Sequence, residues 1–204
     1  MAIHITGVDV GLHNLGVIKC VYEDNNLDII DFKLIDLYKY KNYESELHML
    51  IDCFVVEYKD LFNTDYILIE RQPPGGLIVI QELLAYIFKD KVRLISPRSV
   101  HSKLGINYYC YDQRKIKVVQ FLYDNLTHNK KTELLLSLNN ISRKHDIADA
   151  YCLVKYFTEY VIHKKRHSNG IIIEPAVFKD TDSYFNTFRF DGSKRTFRME
   201  VCQP

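Results

Sequence analysis

The sequence predicts an α/β fold: a mixed five-stranded sheet, three antiparallel strands followed by parallel ones, flanked by helices and ending in a C-terminal extension. Three observations carry this. The chain opens with three strand-like segments joined by short turns. A short apolar run at residues 66–69, as in a strand buried on both faces after a crossover helix, and another short strand at 92–96 then follow stretches of helical periodicity. The remaining periodic segments read as helices, so the sheet is covered on both sides.

Residues 3–9 form the first strand, bounded by Gly7 and Gly11 and ending at Asp9. Residues 14–22 read as the second, closed by the turn signal Glu23-Asp24-Asn25-Asn26. Residues 27–37 are the third, with alternation in their first half. Within 43–62, Leu47, Leu50, Ile51, Phe54, Val55, Tyr58 and Phe62 follow helical spacing. The run 66–69 ends at Glu70, and Pro73-Pro74-Gly75-Gly76 stops it before a second helix at 77–88. Residues 92–96 are a strand ended by Pro97. Residues 98–111 have no clean period and read as a loop or a mobile segment. Residues 112–126 are amphipathic, with Ile116, Val119, Phe121 and Leu122 on the apolar side. A short helix within 131–140 and a longer one at 145–163 follow. Beyond Arg166 the character changes. His167-Ser168-Asn169-Gly170 reads as a break, and 171–178, 184–190 and 196–201 as short strands around an Asp191-Gly192 turn. The expected organisation is one domain over 1–166 and an extension over 167–204.

The 204 residues are 47% hydrophobic and 26% charged, a globular composition with enough apolar content for a core. No run of about eighteen apolar residues exists, so no membrane span is expected. The opening MAIHITGVDVG lacks the pattern of a secretion signal. Five widely spaced cysteines without a C-x-x-C pair argue against a zinc finger and suit free thiols in a reducing, intracellular compartment. Net charge is +1, but residues 1–100 hold 10 Lys+Arg against 15 Asp+Glu, and residues 101–204 hold 17 against 11. The second part could present a basic face to a polyanion or an ordinary charged surface.

Four carboxylates stand out. Asp9 ends an apolar strand, where a charge is costly unless paired or metal-bound; it also suits a turn cap. Glu70 ends a buried strand beside an open Pro-Pro-Gly-Gly loop, with an ion pair to Arg71 or Arg98 as the bland reading. If the two strands pair in parallel, Asp9 and Glu70 share the carboxyl edge, where ligands bind in open α/β sheets. Asp146 and Asp149 in His145-Asp146-Ile147-Ala148-Asp149-Ala150 share one helix face, and small Ala148 and Ala150 permit close packing on the sheet. Each alone fits N-terminal helix charge as well. Together, hard oxygen donors in an open site suit Mg2+ or Mn2+. Two such ions about 4 Å apart can drive in-line attack on a phosphodiester. Nothing in the sequence offers a serine or cysteine triad of comparable spacing.

Gly7-Val8-Asp9-Val10-Gly11, Ile69-Glu70-Arg71-Gln72-Pro73 and the 145–150 run resemble, in order and spacing, the three acidic motifs of RuvC-like Holliday junction resolvases of the poxvirus type, within the RNase H-like superfamily. The resemblance covers about 3–163. It implies an RNase H-like fold and an endodeoxyribonuclease that resolves four-way DNA junctions by paired, symmetric nicks, leaving 5′-phosphate and 3′-hydroxyl ends. It implies two Mg2+ or Mn2+ ions per subunit held by Asp9, Glu70, Asp146 and Asp149, with His145 a lesser candidate. It implies DNA-contacting cations ahead of the last acidic helix. Arg114, Lys115 and Lys117 match that pattern, with Lys115 also catalytic; Lys103 lies in the preceding segment. A solvated helix face is the alternative for these lysines. It further implies a homodimer, for which 77–88 could serve, and a viral protein acting in the cytoplasm of an infected cell or in a virion. The 167–204 extension has no counterpart in the family pattern and could pack on the core, serve a dimer or touch DNA through Lys194, Arg195 and Arg198.

Two other classes share elements of this reading. Another RNase H-like nuclease, cutting RNA–DNA hybrids or branched DNA, would use the same chemistry. An actin- or sugar-kinase-type ATPase would use Asp9–Gly16 as a phosphate loop, but needs a second D-x-G loop and a Gly-Gly motif; Asp191-Gly192 lies too near the end for either.

Overall fold

In the computed structural model, which describes residues 1–42 and 46–162, β1 (Ile3–Asp9), β2 (Leu15–Glu23) and β3 (Asn26–Ile35) form an antiparallel meander. The turn between β2 and β3 places Asp24 and Asn25 at positive φ, the left-handed conformation that Asp and Asn tolerate. Helices α1 (Leu47–Glu57) and α2 (Lys59–Phe62) then lead to β4 (Tyr66–Glu70), and α3 (Ile78–Phe88) leads to β5 (Val92–Ile95). The sheet order is β3-β2-β1-β4-β5, with β4 parallel to β1 and β5 parallel to β4. This is the expected mixed, RNase H-like sheet. Helices α4 (Pro97–Lys103), α5 (Tyr111–His128), α6 (Thr132–Asn139) and α7 (Lys144–Tyr156) complete the described elements.

Side chains alternate across a strand, so one strand serves two cores. On one face Val8, Val17, Ile67 and Ile69 pack against α1, α2 and α3 through Ile51, Phe54, Phe62 and Leu84. On the other, Ile5, Ile18, Cys20 and Leu68 pack against α5 and α7 through Leu122, Ile147, Ala150 and Val154. The same parity puts Asp9 with Ile5, and Glu70 with Leu68, on the α7 side. Buried Thr6 is the polar exception on the opposite face, and its hydroxyl donates to the Leu61 carbonyl, which removes the cost of an unmet polar group.

Several element boundaries differ from the sequence reading for identifiable reasons. The third strand ends at Ile35, because the Asp36 carboxylate accepts a 2.9 Å hydrogen bond from Tyr38 N and starts a 3-10 turn that buries Leu37. The helix expected across 43–62 breaks at Tyr58, which lets Phe62 meet Phe54 edge-on at 5.3 Å. Residues 98–111 do not form one loop. Pro97 starts α4 rather than only ending a strand, its fixed φ suiting the first helical position. The apolar face of α5 is Val118, Leu122 and Leu126, four apart, while Ile116 is 70% exposed and not part of it. The last helix is α-helical only to Tyr156. Thr158 Oγ1 shares its proton between the Val154 and Lys155 carbonyls, and residues Phe157–Ile162 widen into a π-helical turn. The extension at 167–204, its expected strands and Lys194, Arg195 and Arg198 lie outside the described residues.

Candidate active site

Register fixes the first two carboxylates. Val8 pairs with Ile69 in the parallel β1–β4 ladder, so Asp9 and Glu70 follow side by side at the carboxyl edge, on the same face. Gln72 steadies Glu70: its Nε2 donates to Glu70 Oε2 at 3.1 Å, and its backbone N–H donates to Oε1 of buried Gln81 at 2.7 Å. The loop after β4 is thereby tied to α3.

Two glycines bring the third element in. A Cβ on Gly7 would lie 2.3 Å from the Ala150 carbonyl oxygen, and one on Gly16 would lie 2.2 Å from that of Asp146. Helix α7 therefore rests directly on β1 and β2, an approach that only glycine permits. Gly16 is also the antiparallel partner of Asp9. The first turn of α7 consequently stands over Asp9. Ala148 and Ala150 are fully buried beneath it, as expected from their size.

Asp9, Glu70 and Asp149 line one open cleft with Pro97, Val100 and His101 of α4 and Cys152 and Leu153 of α7. Its electrostatics are those of crowded anions. Burial, then the charges of Glu70, Asp149 and Asp146, push the Asp9 carboxyl well above its usual range. Burial also raises Glu70, against a hydrogen bond with Asp9 that holds it down. One proton shared between Asp9 and Glu70 accounts for that opposition, since a bond to the charged partner favours the ionised form. Asp149 is pushed up to about 7 by burial and by Glu70 and Asp146, while Lys115 and Arg114 pull it down.

Asp146 is close enough to act on Asp9 and Asp149 but is held differently. It is 6% exposed, and Arg143 clasps it, Nε to Oδ2 at 2.7 Å and Nη2 to Oδ1 at 3.3 Å. His145 Nε2 lies 3.2 Å from Asp146 Oδ1, yet it is buried without an aligned hydrogen bond. The contact is thus a close approach rather than a bond. Burial lowers the His145 pKa, and Lys115 and Arg143 outside it add to that, against the pull of Asp146.

The basic residues separate. Lys115 and Arg114 act on Asp149, and Arg114 also lowers His101 beyond the effect of burial. Lys117 is two residues from Lys115, hence on a different helix face. Its Nζ lies 5.8 Å from the Phe121 ring, which Lys155 also approaches. Lys103 lies 5.8 Å from the Tyr160 ring at the far end of α4. Sequence reasoning missed Arg143, Gln72 and His101. The i,i+3 spacing of Arg143 and Asp146 was the one available signal. Cys152 lines the cleft, but burial pushes its thiol far up and removes it as a nucleophile.

Among the described residues, no three His, Cys, Asp or Glu side chains converge closely enough to hold a metal ion in this arrangement. In this arrangement Asp9 hydrogen-bonds with Glu70, and Asp146 pairs with Arg143. The donor set nonetheless fits a divalent cation. Three carboxylates on one cleft and a fourth beside it are all hard oxygen donors, and the raised proton affinity of Asp9, Glu70 and Asp149 is demand for positive charge.

A family model described as Poxvirus A22 protein matches residues 3–164. Among solved structures, the fowlpox virus resolvase in complex with substrate Holliday junction DNA is similar at 18% identity and TM-score 0.58, covering 78% of this chain and 99% of that one. The yeast mitochondrial Holliday junction resolvase Ydc2 is similar at 18% identity and TM-score 0.60, covering 81% and 83%. RuvC of T. thermophilus, in complex with a Holliday junction substrate, is similar at 14% identity and TM-score 0.51, covering 79% and 96%. At these identities the likeness is one of fold. A search of curated proteins gave no match.

Proposed function

The chain belongs to the Poxvirus A22 protein family, and from that premise we propose that it is a metal-dependent endonuclease that resolves four-way DNA junctions. The observation that carries this is the convergence of Asp9, Glu70 and Asp149 on one cleft, with Lys115 and Arg114 within electrostatic reach of Asp149. The fold shared with three structures named as Holliday junction resolvases or RuvC supports it.

Asp9, Glu70, Asp146 and Asp149 would hold Mg2+ or Mn2+, two ions per subunit. A divalent cation there would supply Lewis acidity for phosphodiester hydrolysis. The residues supply the rest. Asp9, deepest in the anionic crowding, sets the demand for positive charge. Glu70, steadied by Gln72, keeps its oxygens at the open edge. Lys115 offsets the charge at Asp149 and is placed to meet a phosphate oxygen and the negative charge that builds on it. Arg114 extends the cationic rim toward His101 and positions the DNA backbone. Lys117 and Lys103 stand away from the cleft and serve outlying phosphates. The products are 5′-phosphate and 3′-hydroxyl ends.

A homodimer matches the two-fold symmetry of a four-way junction, each subunit nicking one of two opposed strands. Residues 1–166 carry the chemistry and 167–204 form an appended segment. The protein acts inside virus-infected cells, in cytoplasm or virion. No described helix is long and apolar enough to cross a membrane.

The test is a synthetic four-way junction with Mg2+ or Mn2+. Asp9→Asn and Glu70→Gln are each expected to abolish cleavage and leave binding intact. Cleavage at the wild-type rate by both would overturn the site assignment.

A further inference from the structure

Between α4 and α5 the chain reads Asn107-Tyr108-Tyr109-Cys110-Tyr111, and its rings face solvent: Tyr108 is 89% exposed, Tyr109 40% and Tyr111 62%. Single exposed apolar residues are ordinary, but three aromatic rings within four residues are a concentration that marks contact surfaces. The segment that presents them is anchored. Ile106 is buried and its N–H donates to the His101 carbonyl at 2.9 Å, while Arg114 N–H closes on the Cys110 carbonyl at 2.9 Å. The rings therefore stand on fixed backbone and lose little freedom on contact.

The segment also adjoins the cleft. Pro97, Val100 and His101 of α4 line it from one side. Tyr111 begins α5, and Lys115 Nζ sits 4.4 Å from the centre of the Tyr111 ring. Tyr111 is within electrostatic reach of Arg143, which clasps Asp146. An exposed ring is thus bracketed by cations beside the carboxylates. A second protein docking here would have to desolvate those cations, which is costly without paired anions. A nucleic acid meets both demands, its base taking the ring face and its phosphates the cations.

We infer that Tyr111, together with Tyr108, is a stacking platform for a nucleobase displaced from its helical stack close to the scissile phosphate, with Lys115 on an adjoining phosphate. The inference rests on the nuclease reading above and adds a source of selectivity to it. Unstacking a base is costly in continuous duplex and cheaper where pairing is interrupted, as at a branch point. A platform at the cleft therefore favours branched DNA over plain duplex without reading sequence.

The test uses the full chain carrying Asp9→Asn, so that DNA is bound and not cut. Junctions carrying 5-iododeoxyuridine at successive positions around the branch point are irradiated, and adducts are located by mass spectrometry. Adducts on Tyr108 or Tyr111 are expected. In parallel, Tyr111→Leu should weaken junction binding about tenfold, as loss of one base–aromatic stack does, with duplex binding little changed. Tyr111→Phe should bind as the parent does, since the ring and not the hydroxyl is used. If the parent chain binds junctions but adducts fall elsewhere and Tyr111→Leu binds equally well, the platform is wrong and the nuclease reading stands. If the chain neither binds nor cuts branched DNA, both fall together.

Discussion

Asp149→Asn isolates the electrostatic state of the cleft. The substitution keeps the shape and removes one carboxylate from a crowded set. Burial and the neighbouring Glu70 and Asp146 raise the Asp149 carboxyl from 3.8 to about 7. A carboxyl raised in the folded state binds a proton that the unfolded chain releases, so its contribution is fully present below about pH 4 and is lost as pH rises through about 7. The full shift corresponds to about 4 kcal/mol at roughly 1.4 kcal/mol per unit, and water in the open cleft reduces the expected effect to about 2–4 kcal/mol. In the metal-free chain, Asp149→Asn should match the wild type near pH 4 and exceed it by that amount at pH 8. For a domain of this size the gap is about 5–15 °C in Tm. Thermal or urea denaturation with EDTA, from pH 4 to 8, measures it, and the difference between the two chains cancels every group they share. Saturating Mg2+ at pH 8 should stabilise the wild type and narrow the gap. A gap that is constant with pH, or that opens toward acid, refutes the account of crowded anions.

Three further outcomes follow from the geometry. Gly16→Ala should destabilise the chain by about 1–3 kcal/mol, because its Cβ would meet the Asp146 carbonyl oxygen at 2.2 Å and push α7 off the sheet; an unchanged Tm would show that α7 does not rest there. Lys115→Ala should lower junction turnover about 10- to 100-fold, while Lys117→Ala, on another helix face, changes it little; equal effects in single-turnover assays would contradict the placement of these lysines. Arg143→Ala should tighten Mn2+ binding several-fold in the absence of DNA, since it removes the cation that clasps Asp146; titration followed by electron paramagnetic resonance reads this, and weaker binding would make Arg143 a support for the site instead of a competitor.

Much of the scaffold was legible because its signals are periodic. The apolar run before Glu70 announces a strand buried on both faces, and its pairing with β1 places Glu70 beside Asp9 by register alone. The poxvirus-type resemblance, drawn from three short motifs, agrees with a family match over 3–164. What failed was short or ambiguous. Helix α4 spans seven residues, too few for a period, and its Pro97 both ends one element and begins another. Ile116 looked like core because it is apolar, yet the buried stripe of α5 runs through Val118, Leu122 and Leu126. Lys115 and Lys117 could not be separated until the orientation of α5 was known. Gly7 was visible as a residue bounding the first strand and Gly16 only as the end of a possible phosphate loop, because that α7 would lie on both depends on contacts far apart in sequence. Arg143 as the partner of Asp146 needed the local helix start, which falls one residue after it.

The central claim is that these carboxylates form one metal-dependent site for cutting branched DNA. The most direct measurement maps the products of a synthetic, strand-labelled four-way junction incubated with the wild-type chain and Mg2+ or Mn2+. The account predicts symmetric nicks in two opposed strands, with 5′-phosphate and 3′-hydroxyl ends, that require the metal and vanish with Asp9→Asn. Metal-independent cleavage, or a preference for plain RNA–DNA hybrid over the junction, would contradict it.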